Sequence, residues 1–104
     1  MNNKEILQKR RKLVASLPAP DEVLRGSLLE RIVRHSKGCA RCERGEGHKA
    51  LVLTVTYPGG RNKQFGIPRA QKRMVARWLK NYKEWKQKME QICELNHALL
   101  RPEE

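Results

Sequence analysis

Between Val75 and Leu99, the side chains Val75, Trp78, Tyr82, Trp85, Met89, Ile92, Asn96 and Leu99 recur at alternating intervals of three and four. An α-helix brings such positions onto one side. The spacing is a heptad seam sustained over more than three repeats, so this helix needs a partner surface along its length. The partner is either the rest of this chain or a second copy. Asn96 is the polar member of the seam. In a coiled coil it would set register; otherwise it lies where the helix frays. A chain of 104 residues has room for one domain around such an element.

Ahead of the seam the period changes. Leu51, Leu53, Val55 and Tyr57 fall on one face of a strand, with Val52, Thr54 and Thr56 on the other. Pro58-Gly59-Gly60 is a turn, and Asn62 to Ile67 returns as an antiparallel strand. Pro68 suits the first turn of the last helix. Residues 3–16 read as a helix with Ile6, Leu7, Leu13, Val14 and Leu17 as its apolar stripe, ended by Pro18 and Pro20. Over residues 21–37 two periods compete. Val23, Leu24, Leu28 and Ile32 suit a helix, but Gly26 opposes one, and the alternation around Leu29, Arg31 and Val33 favours a strand over about 27–34.

The expected fold is therefore α+β. It has an N-terminal helix, a small three-stranded antiparallel sheet with a Cys/His turn between its first two strands, and a long C-terminal helix. Residues 1–20 form the helix and a Pro-rich linker, and 21–104 form a single α+β domain. The heptad face is expected to pack on the rest, leaving the opposite face to solvent.

The turn runs from Ser36 to His48 and holds Cys39 and Cys42 in a C-x2-C pair, with His35 before it and His48 after it. Zinc takes four tetrahedral thiolate or imidazole ligands, and His35, Cys39, Cys42 and His48 could supply them from one short loop. In a thin-cored protein such a site also stabilises the fold. Two other readings stand beside it: reduced cysteines in a turn, and a redox pair, although the βαβ setting of thioredoxin-type motifs is missing. Cys93 and His97, one helical turn apart, offer a second ligand pair to Cys39 and Cys42. Cys93 also reads as a small residue beside the seam.

Lysine and arginine number 23 against 11 acids, a formal charge of +12. Such self-repulsion points to a polyanionic partner, DNA or RNA before a membrane. From Arg69 to Lys88 there are eight basic residues and one acid, Glu84. Arg69, Arg73, Arg77 and Lys80 share a helix face, with Lys72, Lys83 and Lys86 on a neighbouring strip. A solvated helix face normally interleaves acids with its bases, and this one does not. Arg31, Arg34, Lys37, Arg41, Arg44 and Lys49 surround the cysteine turn, and Arg61 and Lys63 sit at the hairpin. Trp78, Tyr82 and Trp85 could stack on bases, but their heptad spacing assigns them to packing, as the sheet pattern does Tyr57 and Phe65.

No catalytic constellation emerges. The serines Ser16, Ser27 and Ser36 lie outside a nucleophile elbow, and phosphate-loop, dinucleotide and zinc-deaminase signatures are missing. The longest apolar stretch, Ala50 to Tyr57, is too short to span a bilayer. The start shows no signal-peptide apolar region, so a cytoplasmic location is expected. These features favour a non-catalytic nucleic-acid-binding accessory protein. The rival is a protein–protein adaptor that uses the heptad helix to hold a partner or itself.

Leu24-Arg25-Gly26-Ser27-Leu28, the turn ending Gly45-Glu46-Gly47-His48, the Tyr57-Pro58-Gly59-Gly60 hairpin and Trp78-Leu79-x2-Tyr82 leading to Glu94-Leu95-Asn96 carry a resemblance. Over about three-quarters of its length, Leu24 to Leu100, the chain resembles an uncharacterised family of short bacterial and archaeal proteins with a Cys/His/Gly-rich turn. Members are often encoded near transposase-like genes, which implies a mobile-element, nucleic-acid context. Many relatives carry a further cysteine at the position of His35, and C-x-C where this chain has C-x2-C. The resemblance implies a strand over residues 27–34.

Overall fold

A computed structural model describes residues 1–33 and 48–100 of the chain. In chain order it contains α1 (Asn3–Ala15), a 3₁₀ turn at Pro20–Glu22, β1 (Ser27–Val33), β2 (His48–Tyr57), β3 (Arg61–Ile67), a 3₁₀ turn at Arg69–Gln71 and α2 (Lys72–Leu99). The strands form one antiparallel sheet in the order β1-β2-β3. This is the α+β fold expected from the sequence, and the ambiguous stretch after residue 26 is a strand. The Cys/His turn expected between β1 and β2 lies outside the described residues.

The chain packs as two compact units. One is Arg25–Leu79; the other is Met1–Leu24 with Lys80–Glu104, and the segment 1–20 falls within it.

In the first unit, the alternation of β2 sets the core. Leu51, Leu53 and Val55 are 4–5% exposed, and Val75 from the start of α2 is 3% exposed. Burying each such side chain contributes about 1.5–3 kcal/mol. Cross-strand partners share a face, so Leu28 and Phe65 stand beside Leu53, and Glu30 and Ile67 beside Leu51. Burial is uneven across this face: Leu28 and Ile67 are half-buried, whereas Phe65 is 42% exposed. The expectation of a core role for Phe65 is thus corrected. The four β3 residues before it are polar, and apart from half-buried Ile67 the strand is exposed throughout.

Two turns shape this unit. After Tyr57 the chain reverses through Pro58 and Gly59, and the Gly60 N–H donates to the Tyr57 carbonyl at 3.2 Å. Proline presets the first central position of such a turn, and Gly59, at φ 86°, supplies the left-handed second. Gly26 precedes β1 at φ 143°. A Cβ there would stand 2.9 Å from Leu53 Cδ1 and 3.0 Å from the Thr54 carbonyl oxygen. Glycine is required both by the backbone and by the approach to β2.

In the second unit, α1 begins at a side-chain cap. Asn2 Oδ1 accepts from the Glu5 N–H at 2.8 Å, satisfying one open donor of the first turn. The helix ends where the Ser16 hydroxyl donates to the Leu13 carbonyl, two residues before Pro18. Three hydrogen bonds tie this segment to α2: Arg10 to Asn96 Oδ1 at 2.8 Å, Lys88 to the Ser16 carbonyl at 2.7 Å, and Asn81 to the Glu22 carbonyl at 2.9 Å. Partners descend along α2 as positions rise from 10 to 22, so the two segments run antiparallel.

Ile6 and Ile92 are the buried side chains of this unit, at 4% and 8% exposed. The expected α1 stripe is narrower than predicted. Leu13 and Leu17 are half-buried, but Leu7 and Val14 are 41% and 54% exposed. The inward positions run Ile6, Arg10, Leu13, Leu17, and Arg10 occupies the place a purely apolar reading gives to its neighbours. Every seam position of α2 is buried or half-buried. Asn96, the polar one, receives the Arg10 guanidinium and is not a frayed end.

Replacing Gly26 with alanine should destabilise the protein by about 1–3 kcal/mol, from strain at positive φ and the clash with Leu53. Urea unfolding should show a lower midpoint at unchanged slope; an unchanged midpoint would contradict the crowding described.

Candidate nucleic-acid interface

The basic run begins where the sheet hands over to α2. Pro68 sets the entry at φ −59°, and the Gln71 N–H donates to its carbonyl at 2.9 Å. The first turn of α2 contains no acid, so its open N–H groups and positive dipole end have no local carboxylate. The acid comes from β1 instead. Glu30 Oε1 accepts from Arg69 at 2.9 Å, with side chains 42% and 59% exposed. That hydrogen bond holds the Glu30 carboxyl below the usual carboxylate range; desolvation opposes the shift, and the charges of Lys49, Arg69 and Lys72 reinforce it.

Lys72, Arg73 and Arg77 are exposed, while Val75 between them is buried. α2 thus separates its charged and apolar faces as the spacing predicted, but Arg69, expected on the same helix face, lies in the 3₁₀ turn before the α-helix begins. Lys80, also exposed, is the first α2 residue of the other unit. Further along, Lys88 is engaged by Glu84 at 3.3 Å and by Ser16, and the Lys86 ammonium lies 5.7 Å from the Tyr82 ring centre.

A second basic group forms at the hairpin. Tyr57 closes β2 opposite Arg61, and Lys63 stands opposite Val55 on the same face. Arg25 donates to the Thr56 carbonyl at 2.6 Å, and its guanidinium lies 5.4 Å from the Tyr57 ring centre. The Lys63 ammonium lies 5.8 Å from the same centre. Tyr57, Arg61, Asn62 and Lys63 line a recess of about 480 Å³. Tyr57 is half-buried rather than a core residue.

Arg31 does not join these groups. It pairs with Ala50 on the opposite face of the sheet from Lys63 and Arg61. With the Gln64 amide oriented to present its oxygen, both terminal guanidinium nitrogens of Arg31 donate to it at 3.2 Å. Arg34, Arg41 and Arg44 lie outside the described residues, as do His35, Cys39 and Cys42 of the expected metal set. His48 is the first residue of β2, directly opposite Val33, so the chain leaves and re-enters the sheet at one cross-strand pair. Among the described residues, no group of three or more His, Cys, Asp or Glu could hold a metal ion. Cys93 and His97 are both exposed. No described helix is long and apolar enough to cross a membrane.

Arg25, Asn62 and the accessible ring of Tyr57 went unmarked in the sequence. The local cue was an aromatic residue directly before a tight turn with Arg61 and Lys63 just after it; Arg25, more than thirty residues earlier in the chain, left none. Comparison with protein families, curated proteins and solved structures finds no match to this chain.

Because the Glu30 carboxyl is lowered in the folded chain, its contribution is present above the unfolded value and lost as pH falls through the folded one. Wild type should therefore unfold at a slightly higher temperature than Glu30→Gln near neutral pH, and the gap should close below the carboxylate range. Thermal melts across a pH series measure this; a gap persisting in acid would show that the charge of Glu30 is not its source.

Proposed function

We propose that the chain is a non-catalytic accessory protein that binds DNA or RNA, of the kind encoded beside mobile elements or built into ribonucleoprotein particles. The observation that carries this reading is the exposed group formed by Arg69 of the 3₁₀ turn and Lys72, Arg73 and Arg77 at the start of α2, where Glu30 alone among the described acids forms a salt bridge. Three cations on the first turns of α2, with Arg69 on the 3₁₀ turn just before them, suit a phosphate backbone, whose charges are closely and regularly spaced. The positive end of the helix dipole adds to their field. A net charge of +12 would draw the protein to any polyanion, and these positions would set how it sits there.

The adaptor reading receives less support. In the second unit the heptad face already faces α1, with Ile92 buried and Asn96 engaged by Arg10. A partner helix would have to displace α1 to use it.

Binding measured over a range of salt concentrations should weaken steeply, with a logarithmic slope of about 0.9 per duplex phosphate neutralised. Changing Arg73 and Arg77 together to glutamine should reduce that slope by roughly 2. Equal, weak binding at low and high salt would remove the electrostatic mechanism.

We further propose that His35, Cys39, Cys42 and His48 bind zinc as a structural ion. Four Cys and His ligands fill a tetrahedral site, leaving no position for a reacting water. Support comes from the C-x2-C spacing and from the pairing of Val33 with His48, which closes the base of the ligand-bearing segment. Protein purified without chelator should contain about one zinc ion per chain and melt at a lower temperature once it is stripped. Metal-free protein with an unchanged melt on zinc addition would end the proposal.

A further inference from the structure

We propose that the β2–β3 hairpin recess holds one unpaired nucleotide, with its base against the Tyr57 ring and its phosphate on Arg61 and Lys63. This rests on the nucleic-acid reading and deepens it, assigning the chain a site for single strands. The recess, about 480 Å³, lies within the roughly 300–1,000 Å³ of small-molecule sites. Its lining combines one aromatic ring, two cations and an amide, with no carboxylate among the described lining residues. A flat ring joined to an anion matches that set: the ring takes the aromatic surface, the amide can bond a base edge, and the cations take the phosphate.

The cations around Tyr57 differ in freedom. Arg25 is held by the Thr56 carbonyl at 2.6 Å, with its guanidinium carbon 5.4 Å from the ring centre. Lys63 reaches the ring on a flexible stem, with its ammonium 5.8 Å from the centre. An entering base would take the place of the Lys63 ammonium over the ring, and the ammonium would turn to the adjoining phosphate. Open space surrounds Gly59 and Gly60, so the strand backbone can approach the turn. In a duplex the base faces are covered by their neighbours, and a half-buried tyrosine cannot reach them.

The test is anisotropy titration with a labelled oligothymidylate, the matching oligouridylate and a duplex of equal length. Tyr57→Leu should weaken single-strand binding roughly 5- to 100-fold and leave duplex binding essentially unchanged, while Tyr57→Phe should keep wild-type affinity for all three. Loss for both single strands supports the shared base-and-phosphate chemistry; loss for one alone supports the site and identifies its source as DNA or RNA. Unchanged single-strand affinity, or an equal loss for the duplex, overturns the proposal and leaves the nucleic-acid reading in place. Wild-type protein that binds none of the three overturns both. Should Tyr57→Leu fail to fold, ultraviolet crosslinking of the wild type to a bromouracil-bearing single strand decides. An adduct on Tyr57 supports the site, and adducts confined to other residues overturn it.

Discussion

Leu51, Leu53 and Val55 stand on one face of β2, the strand hydrogen-bonded on both sides, and they are the most buried of the described side chains of the sheet. The other features of that unit depend on them. A shift of one residue in β2 would turn all three outward, so the pairing of both neighbours is set by this alternation. It fixes Glu30 beside Leu51, and so the place where Arg69 finds its carboxylate. It also fixes Tyr57 opposite Arg61 at the end of the sheet. Gly26 belongs to the same constraint, since it lets the chain pass within contact of Leu53 before β1 begins.

In both units most of the described cations are exposed, and a few are engaged. Beside the sheet, cations remain exposed at the start of α2 and at the hairpin, and Glu30 answers one of them. In the helical unit two cations are drawn into structure, while the other described ones, such as Lys9, Arg11, Lys12, Lys80 and Lys83, stay exposed. Arg10 serves Asn96, and Lys88 serves Ser16 and Glu84. A guanidinium within the inward line of α1 resists sliding, because moving away from Asn96 would leave it partly buried without its acceptor. The polar pair thus contributes alignment where an apolar pair would contribute only area.

The fold was largely legible in the sequence because its three signals are periodic. The heptad seam, the alternation of β2 and the Pro58-Gly59-Gly60 turn each determine backbone geometry over a few residues. Side-chain exposure was read less well where position in the sheet mattered more than pattern. Phe65 continues a sound alternation, yet β3 is exposed around it. On α1, Leu7 and Val14 met the spacing rule while Arg10 took an inward place, since a long aliphatic stem can line a half-buried groove. The exposed cations of α2 followed from helical spacing. The company of Tyr57 did not, because Arg25 lies more than thirty residues away and reaches the ring only through the β1–β2 pairing.

Among the described residues, β1 and β3 each pair with β2 on one side and present their other side open. Unpaired strand borders invite the borders of other molecules, and charged side chains are the usual safeguard. Here Glu30 and Arg31 occupy one border, and Arg61 and Lys63 the other. Two copies approaching along β3 would bring like charges together. Arg61 and Lys63 therefore guard that border: whatever neutralises them also relaxes the repulsion that keeps neighbouring sheets from zipping into one.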